Sequence, residues 1–258
     1  MDKVRRSFMN RNLIFLLLLL TISWISPGDV QAKKSLKVSI GQGEARVGYL
    51  DGTVRVLPKG AQAWRTLNLK DTLRGGDEVT IERKSRLELL MPDQSRLRFA
   101  DDTRFTILQA GDGNTQDVRV HLAVGRTWAN VSKSVGIKRK FEISCDKAVA
   151  GVRGTVYRMN VDKDASALVR VYDGEIAVSG ATKPLEAPKA IGAPTKIAGP
   201  TKIAGPTKVT MEEWTVIIRS MQQISIGRDG AASKPREFTE QEDRDEWVDW
   251  NKARDMER

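Results

Sequence analysis

Between residues 36 and 180 the chain never holds an apolar period of 3.6. Apolar residues instead recur at every second position in most of a series of short runs, and turn signals rich in glycine, proline and aspartate separate them. The runs include "DEVTIE", "SRLELLM", "SRLRFAD", "TRFTIL", "DVRVHLAVG", "KFEIS" and "TVYRMNV". A period of two turns one side of each run toward a core and the other toward solvent. The breaks fall at Gly75-Gly76-Asp77, Pro92-Asp93, Asp101-Asp102, Gly111-Asp112-Gly113 and Gly136. This pattern predicts an all-β domain over residues 36–180, a sandwich, barrel or solenoid of short strands. Two Asp-Gly pairs predict hairpins, because a tight two-residue turn needs positive φ at its centre. Asp51-Gly52 would set Val47 and Tyr49 against Val54 and Val56, and Asp173-Gly174 would set Val169 and Val171 against Ile176 and Val178.

The outward positions of these strands are basic. Leu97 and Phe99 should face the core, with Arg96 and Arg98 facing out; Val118 and Val120 alternate with Arg119 and His121. Two readings stand: a solvated face that guards sheet edges against pairing, or a contact patch for an acidic partner. The whole chain, with 43 Lys and Arg against 33 Asp and Glu, carries a formal charge of +10, which suits anionic partners.

The N-terminus narrows that choice. Lys3, Arg5, Arg6 and Arg11 precede an apolar run from Leu13 to Ile25, and small residues follow up to Ala32. A basic region, an apolar stretch and a small-residue cleavage site describe a secretory leader. The run is short for a bilayer span, which needs roughly 20 residues. Cleavage after Ala32 is expected, giving a periplasmic or secreted protein; the alternative is an inner-membrane anchor formed by an uncleaved leader. Export removes nucleic acid from the expected partners. It leaves envelope proteins and an anionic cell-wall polymer, for which Trp64 offers a ring that could stack on sugars. Cys145 is the only cysteine, so no intrachain disulfide can form. Its alternation with Phe141 and Ile143 predicts a buried, inert thiol, with a reactive or intermolecular thiol as the alternative.

Residues 181–209 change character. "GAPTKIAGPTKIAGPTKV" is a hexad repeat with Pro194, Pro200 and Pro206 in register and a lysine in each copy. Proline at that spacing favours an extended, solvated Pro/Lys-rich linker. Residues 210–258 are expected to be helical. Thr210 and Glu213 have capping-box spacing, and Met211, Trp214, Ile217, Ile218 and Met221 share one helical face. Thr239 and Glu242 repeat the capping box ahead of an acidic segment with Trp247 and Trp250 at helical spacing. That segment could dock on the basic body, or its tryptophan ridge could be a partner site.

Catalytic machinery is sparse. The single histidine, His121, excludes a multi-histidine metal site, and one cysteine excludes a thiolate cage. No phosphate-binding loop, dinucleotide fingerprint or nucleophile elbow is present, and Asp162 and Asp164 read as turn residues. We expect neither enzyme activity nor a cofactor. The remaining feature is Gly151-Val152-Arg153-Gly154-Thr155, between two strand candidates. Its glycines permit positive φ or close backbone approach. Arg153 offers five donors, either as a staple for carbonyls left unpaired by a corner or as an anion-binding group.

"FEISCDKAVAGVRGTVYRMNVDKDASALVRVYDGEIAVSG", with Val-Arg-Gly-Thr at its centre, resembles the FecR domain family. Upstream, Trp64, Leu73 with Gly76-Asp77, and Pro92-Asp93-Gln94-Ser95-Arg96-Leu97 extend the likeness over about residues 45–180, while Cys145-Asp146 stands where the family has Thr-Pro. The resemblance implies an extracytoplasmic, solenoid-like stack of short strands that works by protein–protein contact in envelope sensing, signalling or assembly. It supplies no catalytic residue. The residues ahead of Leu13 are too few for a sigma-factor-binding domain, so a stand-alone module is expected. Candidate partner contacts are Arg96, Arg98, Arg119, Trp247 and Trp250.

Overall fold

Seventeen strands and two short helices occur among the residues that the computed structural model describes, namely 43–111, 117–133, 140–181 and 215–257. The leader and the hexad repeat lie outside them. The strands form two facing walls. The first runs, edge to edge, β4 (Thr72–Arg74), β1 (Glu44–Asp51), β6 (Arg86–Leu90), β7 (Arg96–Phe99), part of β9 (Val118–Asn130), β12 (Val156–Val161), β13 (Ala167–Asp173), β16 (Gln222–Ile226) and β17 (Arg236–Glu237). The second runs β3 (Arg65–Thr66), β2 (Val54–Leu57), β5 (Glu78–Ile81), β8 (Thr103–Ala110), the rest of β9, β10 (Phe141–Ser144), β11 (Ala148–Val152), β14 (Glu175–Gly180) and β15 (Thr215–Arg219). All these pairings are antiparallel except β9 with β10.

β9 belongs to both walls. Residues 118–124 pair with β8, and residues 125–130 pair with β12. The strand passes between walls at Gly125, where φ is +109°, and a β-carbon there would lie 2.2 Å from Thr103 Oγ1 and 2.6 Å from its Cα. Among the described residues, every fully described crossing between walls has a residue of positive φ, glycine at five of them and Lys70, Lys84, Asp102 and Met221 at the rest. The described strands thus coil between two walls, as the all-β reading expected.

The space between the walls is one apolar cluster. Val47, Leu87, Leu89, Leu97, Phe99, Met159 and Val171 enter it from the first wall; Val56, Val79, Phe105, Ile107, Val120, Ile143 and Val178 enter from the second. Phe99 and Phe105 stack across it with ring centroids 3.8 Å apart. The period-two alternation places these side chains, and burial of their apolar area drives the walls together. Tyr157 is fully buried in the same cluster, and burial pushes its phenol well above the usual tyrosine range. Cys145 is buried as expected, and burial raises its thiol too.

Two sequence expectations need correction. Asp51-Gly52 and Asp173-Gly174 do not close hairpins. β1 pairs with β4 and β6 in one wall, while β2 pairs with β3 and β5 in the other. Likewise β13 pairs with β12 and β16, and β14 with β11 and β15. Gly52 and Gly174 do adopt positive φ, but the same local geometry that closes a hairpin also turns a corner from wall to wall. A bulge between Val47 and Tyr49 then sends Val47 inward and sets Tyr49 opposite Glu88, on the outer side of the first wall. Second, residues 215–221 are not helical: β15 and β16 flank a corner at Met221. Thr215, Val216, Ile217 and Ile218 are β-branched and satisfy a period of two as well as one of 3.6. Pairing with β14 and β13 decides for strands. Since Ser179 lies opposite Thr215, residues 181–214 join neighbouring ends of two paired strands.

The Thr239 cap starts a helix as expected, and a second cap at Asp245, not read from the sequence, starts another. Thr239 Oγ1 accepts from the Glu242 N–H and the Glu242 carboxylate accepts from the Thr239 N–H, which starts α1 (Glu240–Asp243). Asp245 Oδ1 accepts from the Val248 N–H at 2.8 Å and starts α2 (Glu246–Met256).

Candidate functional site

The outer side of the first wall carries one transverse row of side chains, each opposite the next: Tyr49, Glu88, Arg98, Trp128, Arg158, Arg170 and Gln223. Antiparallel register alone builds this row, because the outward positions of successive strands fall in line. Three arginines on a strand surface would ordinarily point into water. Here α1 and α2 cover them.

Arg98 is 0 % exposed. Its Nε donates to Glu88 Oε2 at 2.6 Å, and its Nη1 lies 2.8 Å from Asp255 Oδ1 on α2. Trp128 Nε1 donates to the other Asp255 oxygen at 3.0 Å. Asp243, buried at the end of α1, accepts from Arg158, Arg170 and the Tyr172 hydroxyl together. Nearer the start of α2, Arg126 pairs with Asp245 at 3.2 Å and Arg86 with Glu246 at 2.6 Å. Rings and cations alternate as well. Trp247 and Trp250 stack at 5.3 Å, Trp128 stacks on Tyr172 at 4.3 Å, and Arg254 lies 4.5 Å over Tyr49. Burial opposes the charge on Glu88, but the guanidiniums of Arg98 and Arg254 override it and hold the carboxyl below its usual value. Burial above all pushes the Tyr172 phenol up. Four donors of this interface, Arg98 Nη2, Arg158 Nε, Arg254 Nε and Trp247 Nε1, are buried without a hydrogen-bond partner.

The five candidate contacts therefore occupy different places. Arg98 and Trp247 lie inside this intramolecular interface, Trp247 at 3 % exposure. Trp250 is half-buried beside Arg86 and Tyr49, and Arg96 is half-exposed at 3.5 Å from Glu88. Arg119 lies on the second wall, exposed, donating to Gln109 Oε1 at 3.1 and 2.9 Å. The basic face read from the strands is thus two faces on opposite walls, one covered by the chain's own acidic segment. The sequence reading missed Glu88, Trp128, Arg158, Arg170, Asp243 and Asp255 as a group. Their outward placement follows from alternation; only the acidic excess of the tail hinted at what covers them.

Around Gly151-Val152-Arg153-Gly154-Thr155 the staple expectation is corrected. The Arg153 side chain is exposed and makes no hydrogen bond or ion pair among the described residues; only its carbonyl accepts, from the Thr155 hydroxyl at 3.4 Å. Thr155 secures the corner instead, its hydroxyl donating to the carbonyl of Glu175 at 3.0 Å. A β-carbon at Gly174 would come within 3.0 Å of that hydroxyl, so the two corners pack against each other. Arg153 borders a shallow groove of about 470 Å3 on the second wall, with Lys140, Glu142, Glu175 and Ile217.

His121, on the same wall, sits between Ser144 Oγ, 3.4 Å from Nδ1, and Asp146 Oδ1, 3.3 Å from Nε2. Asp164 accepts from the Ser166 N–H at 3.0 Å as a turn residue. Among the described residues no cluster of three or more His, Cys, Asp or Glu has metal-binding geometry, and no helix is long and apolar enough to cross a membrane.

A wall-to-wall coil of strands whose corners turn at residues of positive φ, with a helical tail on one side, defines the class as an all-β module of the kind the Val-Arg-Gly-Thr segment suggested. The family model described as FecR protein matches residues 77–177, from the turn before β5 into β14, and this stretch contains the Val-Arg-Gly-Thr segment. Two crystal structures of a "putative anti-sigma factor" from Parabacteroides distasonis, at 1.65 and 2.50 Å, are similar at 14% identity and a TM-score of 0.43. The similarity covers 62% of this chain and 59% of theirs, and at that level it carries no argument. No curated protein matches the chain.

Proposed function

We propose that this protein is a signalling or sensing module of the cell envelope that acts outside the cytoplasm by contact with other proteins. The FecR match over residues 77–177 carries the reading, since that family is regulatory. The distribution of surfaces supports it. The first wall is covered on its outer side, whereas the second leaves Arg119, Ala123 and Glu175 exposed, with Leu108 at 50 % and Ile217 at 44 % exposure. An open sheet face with isolated apolar side chains offers area for a protein partner. The basic leader-like N-terminus supports export, with cleavage after Ala32.

Expression of the full chain in a Gram-negative host tests both parts. Mass spectrometry of the periplasmic fraction should find a mature N-terminus at Lys33; a full-length cytosolic product would contradict export. Affinity capture from envelope extract and from purified peptidoglycan sacculi separates the partners. Protein contact predicts a defined envelope protein whose capture is lost with Ile217→Glu. Salt-resistant retention on sacculi, indifferent to Ile217→Glu, would point to a cell-wall polymer instead.

A further inference from the structure

The sandwich core owes nothing to the helical tail. The apolar cluster between the walls contains no residue of 239–257. The tail instead joins a separate, small cluster of Ala100, Trp128, Trp247 and Val248. What holds it is mainly charge, through Asp243 on Arg158 and Arg170 and Asp255 on Arg98 and Trp128.

We propose that the arginine row of the first wall is a receptor for an acidic, tryptophan-bearing helix, and that the chain's own residues 239–257 occupy it as an exchangeable stand-in. The partner it fits is a helix of another protein that presents one carboxylate to the Arg158–Arg170 pair, a second to Arg98, and an indole between them.

Three observations make the stand-in exchangeable. Most of the face beneath it is arginine, which water solvates well, so lifting the tail uncovers only the small patch of Ala100, Trp128 and Tyr172 and leaves the core between the walls closed. The interface leaves Arg98 Nη2, Arg158 Nε and Trp247 Nε1 buried and unpaired; a partly satisfied polar network holds less firmly than a fully satisfied one or an apolar core. The 11-residue α2 is also too short to persist alone, since isolated helices under roughly 12–15 residues are marginal in water, so release gains chain entropy. Charge fixes the chemistry of the occupant, because guanidiniums in a row reject a basic helix.

This deepens the protein-contact reading, but its test uses purified components, so its failure leaves that reading standing. The probe is a fluorescent peptide with the sequence of residues 236–258, titrated onto the full chain and onto its Asp243→Asn/Asp255→Asn variant. The variant should bind the peptide at least tenfold more tightly than the unaltered chain, and adding Arg98→Gln should abolish binding. Equal weak binding by both, with hydrogen exchange showing the variant's tail released, would overturn the proposal, as would a tail that stays protected in the variant. Should the variant fail to fold, hydrogen exchange on the unaltered chain decides. Amides of residues 247–252 should exchange well before those of β9 and β12, and faster still with excess peptide. Exchange of all three only through global unfolding would overturn it.

Discussion

The two outer faces of this molecule start from the same instruction and end differently. On both walls, alternation places arginines outward: Arg98, Arg158 and Arg170 on one, Arg55, Arg104 and Arg119 on the other. On the second wall they stay in water. On the first they are buried under a tail that brings Asp243 and Asp255 to them. Outward on a strand does not therefore mean exposed. The fate of an outward charge depends on what the rest of the chain lays over it, and that is set hundreds of ångströms of contour away from the strand itself.

The largest expected effect falls where β9 hands over between the faces. Gly125→Ala forces a positive φ on a β-carbon that would sit 2.6 Å from the Thr103 backbone. It should cost about 3 kcal/mol in urea melts, near the upper end for one strained residue. Gly60 also has positive φ but has nothing within 4 Å, so Gly60→Ala should cost only about 1 kcal/mol. Next comes the covered face. Arg98→Ala removes the buried cation shared by Glu88 and Asp255, leaving Glu88 only the longer contacts to Arg96 and Arg254, and should cost about 2 kcal/mol, the penalty of stranded buried polar groups. The tail can lift and admit water, which limits the loss.

The covered face should also be the acid-sensitive one. Glu88 has a folded-state carboxyl below its unfolded value, so its contribution is fully present above roughly pH 4.5. That contribution fades as pH falls through the depressed value. Glu88→Gln should flatten stability between about pH 5 and pH 3 in parallel denaturation curves; an unchanged pH profile would mean that the Glu88–Arg98 pair is not formed. The smallest effects belong to the bare face. Arg119→Ala and Arg153→Ala should each shift stability by less than about 0.5 kcal/mol, because neither side chain is buried. A cost near 2 kcal/mol at Arg153 would restore it as a corner staple and break the contrast between the faces.

Much of this was legible in the sequence, for physical reasons. A period of two survives any tertiary context that buries one side of a strand, so Leu97, Phe99, Val118 and Val120 were placed correctly. Capping boxes are local, so Thr239 with Glu242 announced α1. The Val-Arg-Gly-Thr segment carried the family. What failed was information that is not local. A glycine of positive φ does not say whether the next strand pairs with the last or crosses to the other wall, hence the misread hairpins at Gly52 and Gly174. Thr215-Val216-Ile217-Ile218 fits two periods, and only its neighbours β14 and β13 choose between them. The arginine row required the register of seven strands together, and its occupant required knowing where residues 239–257 return.

A double-mutant cycle between the first wall and α2 tests the account most directly. Arg98→Gln, Asp255→Asn and the double variant are compared by urea denaturation of the full chain. Contact between the row and the tail predicts a coupling of about 1 kcal/mol or more. Strictly additive effects of the two substitutions would contradict it, and would mean that the acidic helix does not sit on the arginine face.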